Sequence, residues 1–132
     1  MQDHNVFIKW QPEYELGIPI IDEQHRGIVS VINSLYYSMQ NKHIKGVLEP
    51  TINMLQSYTQ IHFQTEEGFL AISNYPDTQK HILLHQQLVS RLAEISRKSM
   101  VDKDPYHLMD FLKKWWIDHI CKVDFLYRDS IV

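Results

Sequence analysis

Along most of this 132-residue chain, apolar positions recur at steps of three and four, the spacing of a buried helical face. Four helices follow from that period. The first, over about 22–40, carries His25, Ile28, Ile32, Leu35 and Met39 on its inward stripe. The second, over about 47–73, turns Leu48, Ile52, Leu55, His62, Glu66 and Phe69 or Leu70 inward. Pro50 suits only its first turn, where the missing N–H has no partner to lose. The third, over about 77–98, begins after Tyr75-Pro76 with Asp77 as N-cap, and its stripe is His81, Leu84, His85, Leu88, Leu92 and Ile95. Asp104-Pro105 is a start signal for the fourth, over about 105–127, with Leu108, Leu112, Trp115 and His119 inward. Residues 1–20, with Trp10, Pro12 and Leu16-Gly17-Ile18-Pro19, lack the period and read as an irregular arm laid along the domain. Strand alternation never lasts more than a few residues. The expected fold is all-α, a single domain over 1–132 built as an antiparallel up-down-up-down four-helix bundle with an N-terminal arm, because short links between long helices favour antiparallel neighbours.

Polar residues interrupt those apolar stripes in a fixed order. The segments are IDEQH, HFQTE, HILLH and HICKVD, which supply His25, His62 and Glu66, His81 and His85, then His119 and Asp124. Each short match is weak alone, since this composition gives roughly 0.5 H-x-x-x-H by chance. Their depths carry the argument. In an up-down bundle with a rise of about 1.5 Å per residue, all seven fall within a slab of roughly 10 Å at one end. The i, i+4 pairs share one helix face. His119 and Asp124 stand five apart and diverge by about 140° on a regular helix, so a locally widened, π-type turn would be needed to align them.

Burying these groups unpaired would cost several kcal/mol each, on the order of 2–7 kcal/mol for a polar group. A hydrogen-bonded polar core is the ordinary alternative. Five imidazoles and two carboxylates at one level nevertheless form a better metal cage than a network, and a bound metal would offset the burial. Seven donors are too many for one ion and suit two. With no thiolate pair, a structural zinc site is disfavoured, and the donor set suits iron, manganese or zinc rather than calcium.

Composition narrows the partners. Hydrophobic residues make up 44% and charged residues 22%, as in ordinary globular domains. A net charge of −3 with scattered Lys and Arg argues against nucleic acid. No apolar run approaches the ~20 residues of a membrane helix, so no membrane partner is expected. Cys121 is the sole cysteine and reads as a packed thiol in a reducing compartment, and no signal-peptide pattern opens the chain. The expected location is cytoplasmic.

From Trp10 to Tyr127 the chain closely resembles the hemerythrins, specifically the short bacterial ones. The residues that carry this are Leu16-Gly17-Ile18-Pro19, Ile21-Asp22-Glu23-Gln24-His25, His62-Phe63 with Glu66-Glu67, Tyr75-Pro76, His81 and His85, and Phe111-Leu112-Lys113, Trp115, His119-Ile120, Asp124 and Tyr127. The resemblance implies an oxo- or hydroxo-bridged non-haem di-iron centre that binds O₂ reversibly, and small anions such as azide. It places His81, His85 and His119 on a six-coordinate iron and His25 and His62 on a five-coordinate one, with Glu66 and Asp124 bridging. Phe63, Trp115 and Ile120 match the usual lining of the O₂ pocket, although core packing alone would also explain them. Trp116 stands where the family commonly has leucine, and its ring either narrows the chamber or turns outward. His4, His43 and His107 match no ligand position and are expected in solvent. Glu67 is expected at the surface or just behind the ligands.

Oxygen storage, delivery or scavenging without turnover is the leading expectation. An O₂ or redox sensor domain of a larger signalling protein is the second. A di-iron oxidase, peroxidase or nitric oxide-handling enzyme is the third, disfavoured because ferritin-type oxygen-activating centres use more carboxylates and a Glu-x-x-His spacing missing here.

Overall fold

The computed structural model describes residues 7–40, 44–102 and 104–128. Helices α1 (Pro19–Gln40), α2 (Ile44–Ser73), α3 (Thr78–Asp102) and α4 (Tyr106–Trp115) follow one another, and α4 continues into a π-helical stretch, Trp116–Val123, and a 3₁₀ turn, Asp124–Tyr127. Each helix packs on the next and α4 returns to α1, which closes an all-α four-helix bundle. Among the described residues there is no strand and no helix long and apolar enough to cross a membrane.

The helix boundaries differ from the sequence pattern where polar or proline residues extend a helix beyond its apolar stripe. α1 begins at Pro19, whose fixed φ suits a first turn. α2 begins at Ile44, so Pro50 lies inside it rather than in its first turn. Gly46, whose carbonyl a residue at 50 would otherwise bond, is exposed, so water can replace that bond. α3 runs on to Asp102, with the small Ser96 and Ser99 buried, while Leu84, Leu88 and Ile95 are half-buried. At the start of α4, Pro105 sits in the cap position and the Asp104 carboxylate accepts the Tyr106 N–H at 3.1 Å. Asn74, at φ 56°, ends α2 in the left-handed region, and the Tyr75 N–H returns to the Leu70 carbonyl at 3.4 Å.

The core is divided. A large cluster that includes Ile28, Ile32, Leu35, Ile52, Leu55, Leu92, Leu108 and Leu112 fills most of the bundle. A smaller one, Leu16, Ile18, Ile21, Leu70 and Tyr127, closes the opposite end. Along α2 the order Leu55, His62, Glu66, Leu70 runs from one cluster to the other, so the polar layer is held between two apolar ones.

The arm is tied down by specific bonds. Ile8 and Asn33 exchange two hydrogen bonds of 2.8 Å, backbone N–H to Oδ1 and Nδ2 to backbone carbonyl. Trp10 packs beneath the Arg26 guanidinium, 4.8 Å above its ring. The buried Asp22 carboxylate accepts the N–H groups of Leu16 at 2.8 Å and Gly17 at 3.1 Å. Gly17, at φ 92°, makes the turn that brings these donors round to it.

Asp22→Ala would leave the buried Leu16 N–H without an acceptor and free the arm at its hinge. Hydrogen bonds to a charged group contribute about 1.5–3 kcal/mol each, and the loss is expected near 2–3 kcal/mol. For a chain of this length that lowers Tm by roughly 6–10 °C. Thermal unfolding followed by circular dichroism checks it, and an unchanged Tm would show that the arm is not fastened at Asp22.

Candidate metal centre

The structure brings His25 from α1, His62 and Glu66 from α2, His81 and His85 from α3, and His119 and Asp124 from the end of α4 into one buried cluster. Their donor atoms form two overlapping groups. One contains Glu66, His81, His85, His119 and Asp124, and the other His25, His62, Glu66 and Asp124. Both carboxylates belong to both groups, and each divides its two oxygens between them. Glu66 Oε1 faces His85 Nε2 at 3.2 Å and His81 Nε2 at 4.0 Å, while Oε2 faces His62 at 3.5 Å and His25 at 3.9 Å. Asp124 Oδ1 faces His119 at 3.0 Å and His81 at 3.3 Å, while Oδ2 faces His25 at 3.4 Å.

The fourth helix reaches this geometry by widening. Over Trp116–Val123 it is π-helical, and the Asp124 N–H bonds to the carbonyl of His119, five residues back. That bond brings His119 and Asp124 onto one side of the helix, where a regular α-turn would separate them by about 140°.

The donor set fits a cation. Nε2 of His81, His85 and His119, Oε1 of Glu66 and both oxygens of Asp124 are buried without a hydrogen-bond partner. Unpaired buried acceptors are destabilising by about 1–3 kcal/mol each, more when charged. Nε2 of His25 and His62 face each other at 3.0 Å. Two nitrogens bound at right angles, each about 2.1 Å from one ion, stand about 3.0 Å apart.

Electrostatics of the polypeptide alone point the same way. Burial would raise the Glu66 pKa, but His62, His81 and His85 outweigh it and hold the carboxyl well below the usual range. Burial and the neighbouring Glu66 would likewise raise Asp124, and His119 and His25 draw it down. Burial disfavours a charge on His62 and His81, yet the two carboxylates prevail, raising His62 and pushing His81 up to about 9. Protons thus compensate the carboxylates where a metal would.

Around the cluster, Phe63 stacks on His85 at 3.8 Å with the rings 6° from parallel. Trp115 meets Phe63 edge-on at 6.1 Å, and Ile120 is fully buried. Trp116 turns inward: it is 2% exposed, its ring meets His25 edge-on at 5.9 Å, and Trp10 and Tyr14 of the arm cover it at 6.0 and 5.3 Å. His107 is exposed, while His4 and His43 lie outside the described residues. Cys121 is half-buried, and burial followed by the Asp124 charge pushes its thiol up to about 11, which favours the protonated form.

Three residues that the apolar stripes do not single out also reach the cluster. Tyr127 donates its hydroxyl to Glu66 Oε2 at 2.5 Å, and burial, then the Glu66 and Asp124 charges, raise its pKa and keep it a donor. Glu67 Oε2 meets His85 Nδ1 at 2.8 Å, which places it behind a histidine of the cluster. Gln24 Oε1 meets His62 Nδ1 at 2.9 Å. Gln24 and Glu67 each adjoin a cluster residue in sequence, the one local sign of their role.

The family model described as the Hemerythrin HHE cation binding domain matches residues 16–129. A bacteriohemerythrin of Stenotrophomonas maltophilia is 30% identical over 126 residues, 92% of this chain and 80% of the relative. A bacteriohemerythrin of Clostridium acetobutylicum is 29% identical over 126 residues, 91% of this chain and 98% of the relative. A hemerythrin from Sipunculus nudus is 29% identical over 122 residues, 92% of this chain and 92% of the relative.

The raised His81 value has a signed consequence for protein stripped of metal. A histidine whose pKa is higher in the fold than the ordinary 6.5 contributes stability that is fully present below pH 6.5 and is lost as pH rises through about 9. The Tm of chelator-stripped protein should therefore fall between pH 7 and 10, and His81→Gln should flatten that slope. Because metal must displace these protons, loading at pH 7.5 should release them to an indicator dye. A flat Tm over this window would remove the assignment to His81.

Proposed function

This chain belongs to the hemerythrin family, and we propose that its cluster holds two iron ions and binds dioxygen reversibly, for storage, delivery or scavenging rather than catalytic turnover. The observation that carries this reading is the division of Glu66 and Asp124 between two groups of histidines. Such a division suits two ions that share both carboxylates. His81, His85 and His119 would hold one ion and His25 and His62 the other, so the second has fewer protein donors and keeps a place for a small ligand or an anion such as azide. The di-iron pair, when bound, supplies the two electrons that reversible dioxygen binding requires.

The polypeptide contributes position and dryness. Phe63, Trp115, Trp116 and Ile120 are buried and line the site in this reading, and an apolar lining limits entry of water and loss of reduced oxygen species. Tyr127 fixes the rotation of Glu66 through its hydroxyl, so that one oxygen remains turned toward each histidine group. Five imidazoles with only two carboxylates favour a reversible binder over an oxygen-activating enzyme of ferritin type. Cys121 as the one cysteine supports a reducing, cytoplasmic setting.

Protein reconstituted anaerobically with ferrous iron should approach two irons per chain by elemental analysis, and its visible spectrum should change in air and revert under argon. A stable maximum of one iron, or no reversal, overturns the reading. Glu66→Ala or Asp124→Ala should disturb both ions, whereas His25→Ala should weaken chiefly one.

Trp116→Ala should open the covered side of the two-histidine position. Truncating a buried aromatic destabilises by ~3–5 kcal/mol. Tm should fall, azide should bind faster, and the oxygenated form should decay sooner to the diferric one. Unchanged azide and decay rates would place Trp116 outside the pocket and leave Phe63, Trp115 and Ile120 as its lining.

A further inference from the structure

Two of the five histidines carry a second partner on the nitrogen turned away from the cluster, and the two partners differ in charge. His85 Nδ1 meets the Glu67 carboxylate at 2.8 Å. A carboxylate oxygen only accepts, so His85 carries its proton on Nδ1 and presents the Nε2 lone pair inward. His62 Nδ1 meets Gln24 Oε1 at 2.9 Å. The orientation of that amide follows from its other end. Gln24 Nε2 donates to Thr65 Oγ1 at 3.1 Å, and Thr65 passes its own proton to the Ile61 carbonyl at 3.0 Å. Thr65 is then an acceptor for Gln24, the amide oxygen must face His62, and His62 likewise donates from Nδ1 and turns the Nε2 lone pair inward.

An imidazole whose N–H is held by a carboxylate is a stronger donor at its other nitrogen than one held by a neutral amide, and partners of this kind tune metal affinity and redox potential. Glu67 stands behind the three-histidine group and Gln24 behind the two-histidine group. The Glu67 side chain remains 30% exposed while that of His85 is 2% exposed, so the charge is partly solvated and the ligand is not.

We propose that Glu67 and Gln24 are positioning residues that make the two metal positions unequal, Glu67 biasing the three-histidine position toward ferric iron and Gln24 leaving the two-histidine position the weaker donor. This rests on the two-iron reading above. Neither residue touches the metal, and each acts through the tautomer and donor strength of one histidine. The neutral partner lies on the side with fewer protein donors, where ready return to the ferrous state favours release of a bound ligand.

The test uses reconstituted Glu67→Gln, Gln24→Glu and the double exchange, with the reduction potential of the diferric protein measured by spectroelectrochemistry beside iron content and Tm. Glu67→Gln keeps an acceptor but removes the charge. It should lower the preference for ferric over ferrous iron about tenfold, a rise of about 60 mV for a one-electron couple. Gln24→Glu should shift the potential the opposite way, and the double exchange should return it toward the starting value. Glu67→Asp, which restores a carboxylate, should recover part of the shift. A merely structural role would lower Tm in every variant without opposite shifts. Two irons bound with potentials that do not diverge would overturn this proposal and leave the two-iron reading standing. Failure of unaltered protein to take up two irons would overturn both.

Discussion

The fold depends on the enclosure of five imidazoles and two carboxylates between two apolar clusters. Leu16, Ile18, Ile21, Leu70 and Tyr127 close one end, and the larger cluster fills the other. His25, His62, Glu66 and Asp124 are each 0% exposed and so out of contact with water. Their lone pairs must find partners inside. Protons satisfy some of them, which is why His62 and His81 are drawn toward the charged state. Several acceptors still remain unpaired, and a cation satisfies them all at once. Stability of the bundle and metal binding are therefore one property of this layer.

The widened end of α4 follows from the same requirement. His119 and Asp124 must both reach the layer, and the chain adopts a π-helical stretch over Trp116–Val123 instead of a regular turn. Trp116 stands at the start of that stretch, where its N–H still bonds to the Leu112 carbonyl four residues back, so it continues the Leu108 and Leu112 stripe and turns onto His25. The irregularity thus positions the Asp124 carboxylate and leaves the turn that carries Trp116 in regular register.

Most of the architecture was legible in the sequence because burial and helical period coincide. His25, Ile28, Ile32 and Leu35 on α1, and Leu48, Ile52, Leu55, His62 and Glu66 on α2, are buried as their spacing predicts. The five-residue step from His119 to Asp124 pointed to the π-type turn for a geometric reason. Features that depend on contacts across helices were not legible. The cover over Trp116 comes from Trp10 and Tyr14, which the arm brings from about a hundred positions away in sequence. Gln24 and Tyr127 act through single hydrogen bonds that leave no periodic trace. The starts of α1 and α2 were missed because Pro19 and Gly46 resemble loop residues, yet the first-turn geometry of Pro19 and the exposure of Gly46 allow helix.

The two halves of the cluster are also covered differently. His81, His85 and His119 come from α3 and the end of α4, with Phe63 stacked on His85. His25 and His62 come from α1 and α2, and the His25 side is closed by Trp116, itself beneath Trp10 and Tyr14. The arm that carries Trp10 and Tyr14 is fixed to α1 by Asp22 and Asn33 rather than by the cluster. The His25 side is thus closed in two layers, Trp116 from α4 and then Trp10 and Tyr14 from the arm, so side chains from two separate parts of the chain keep bulk water from it.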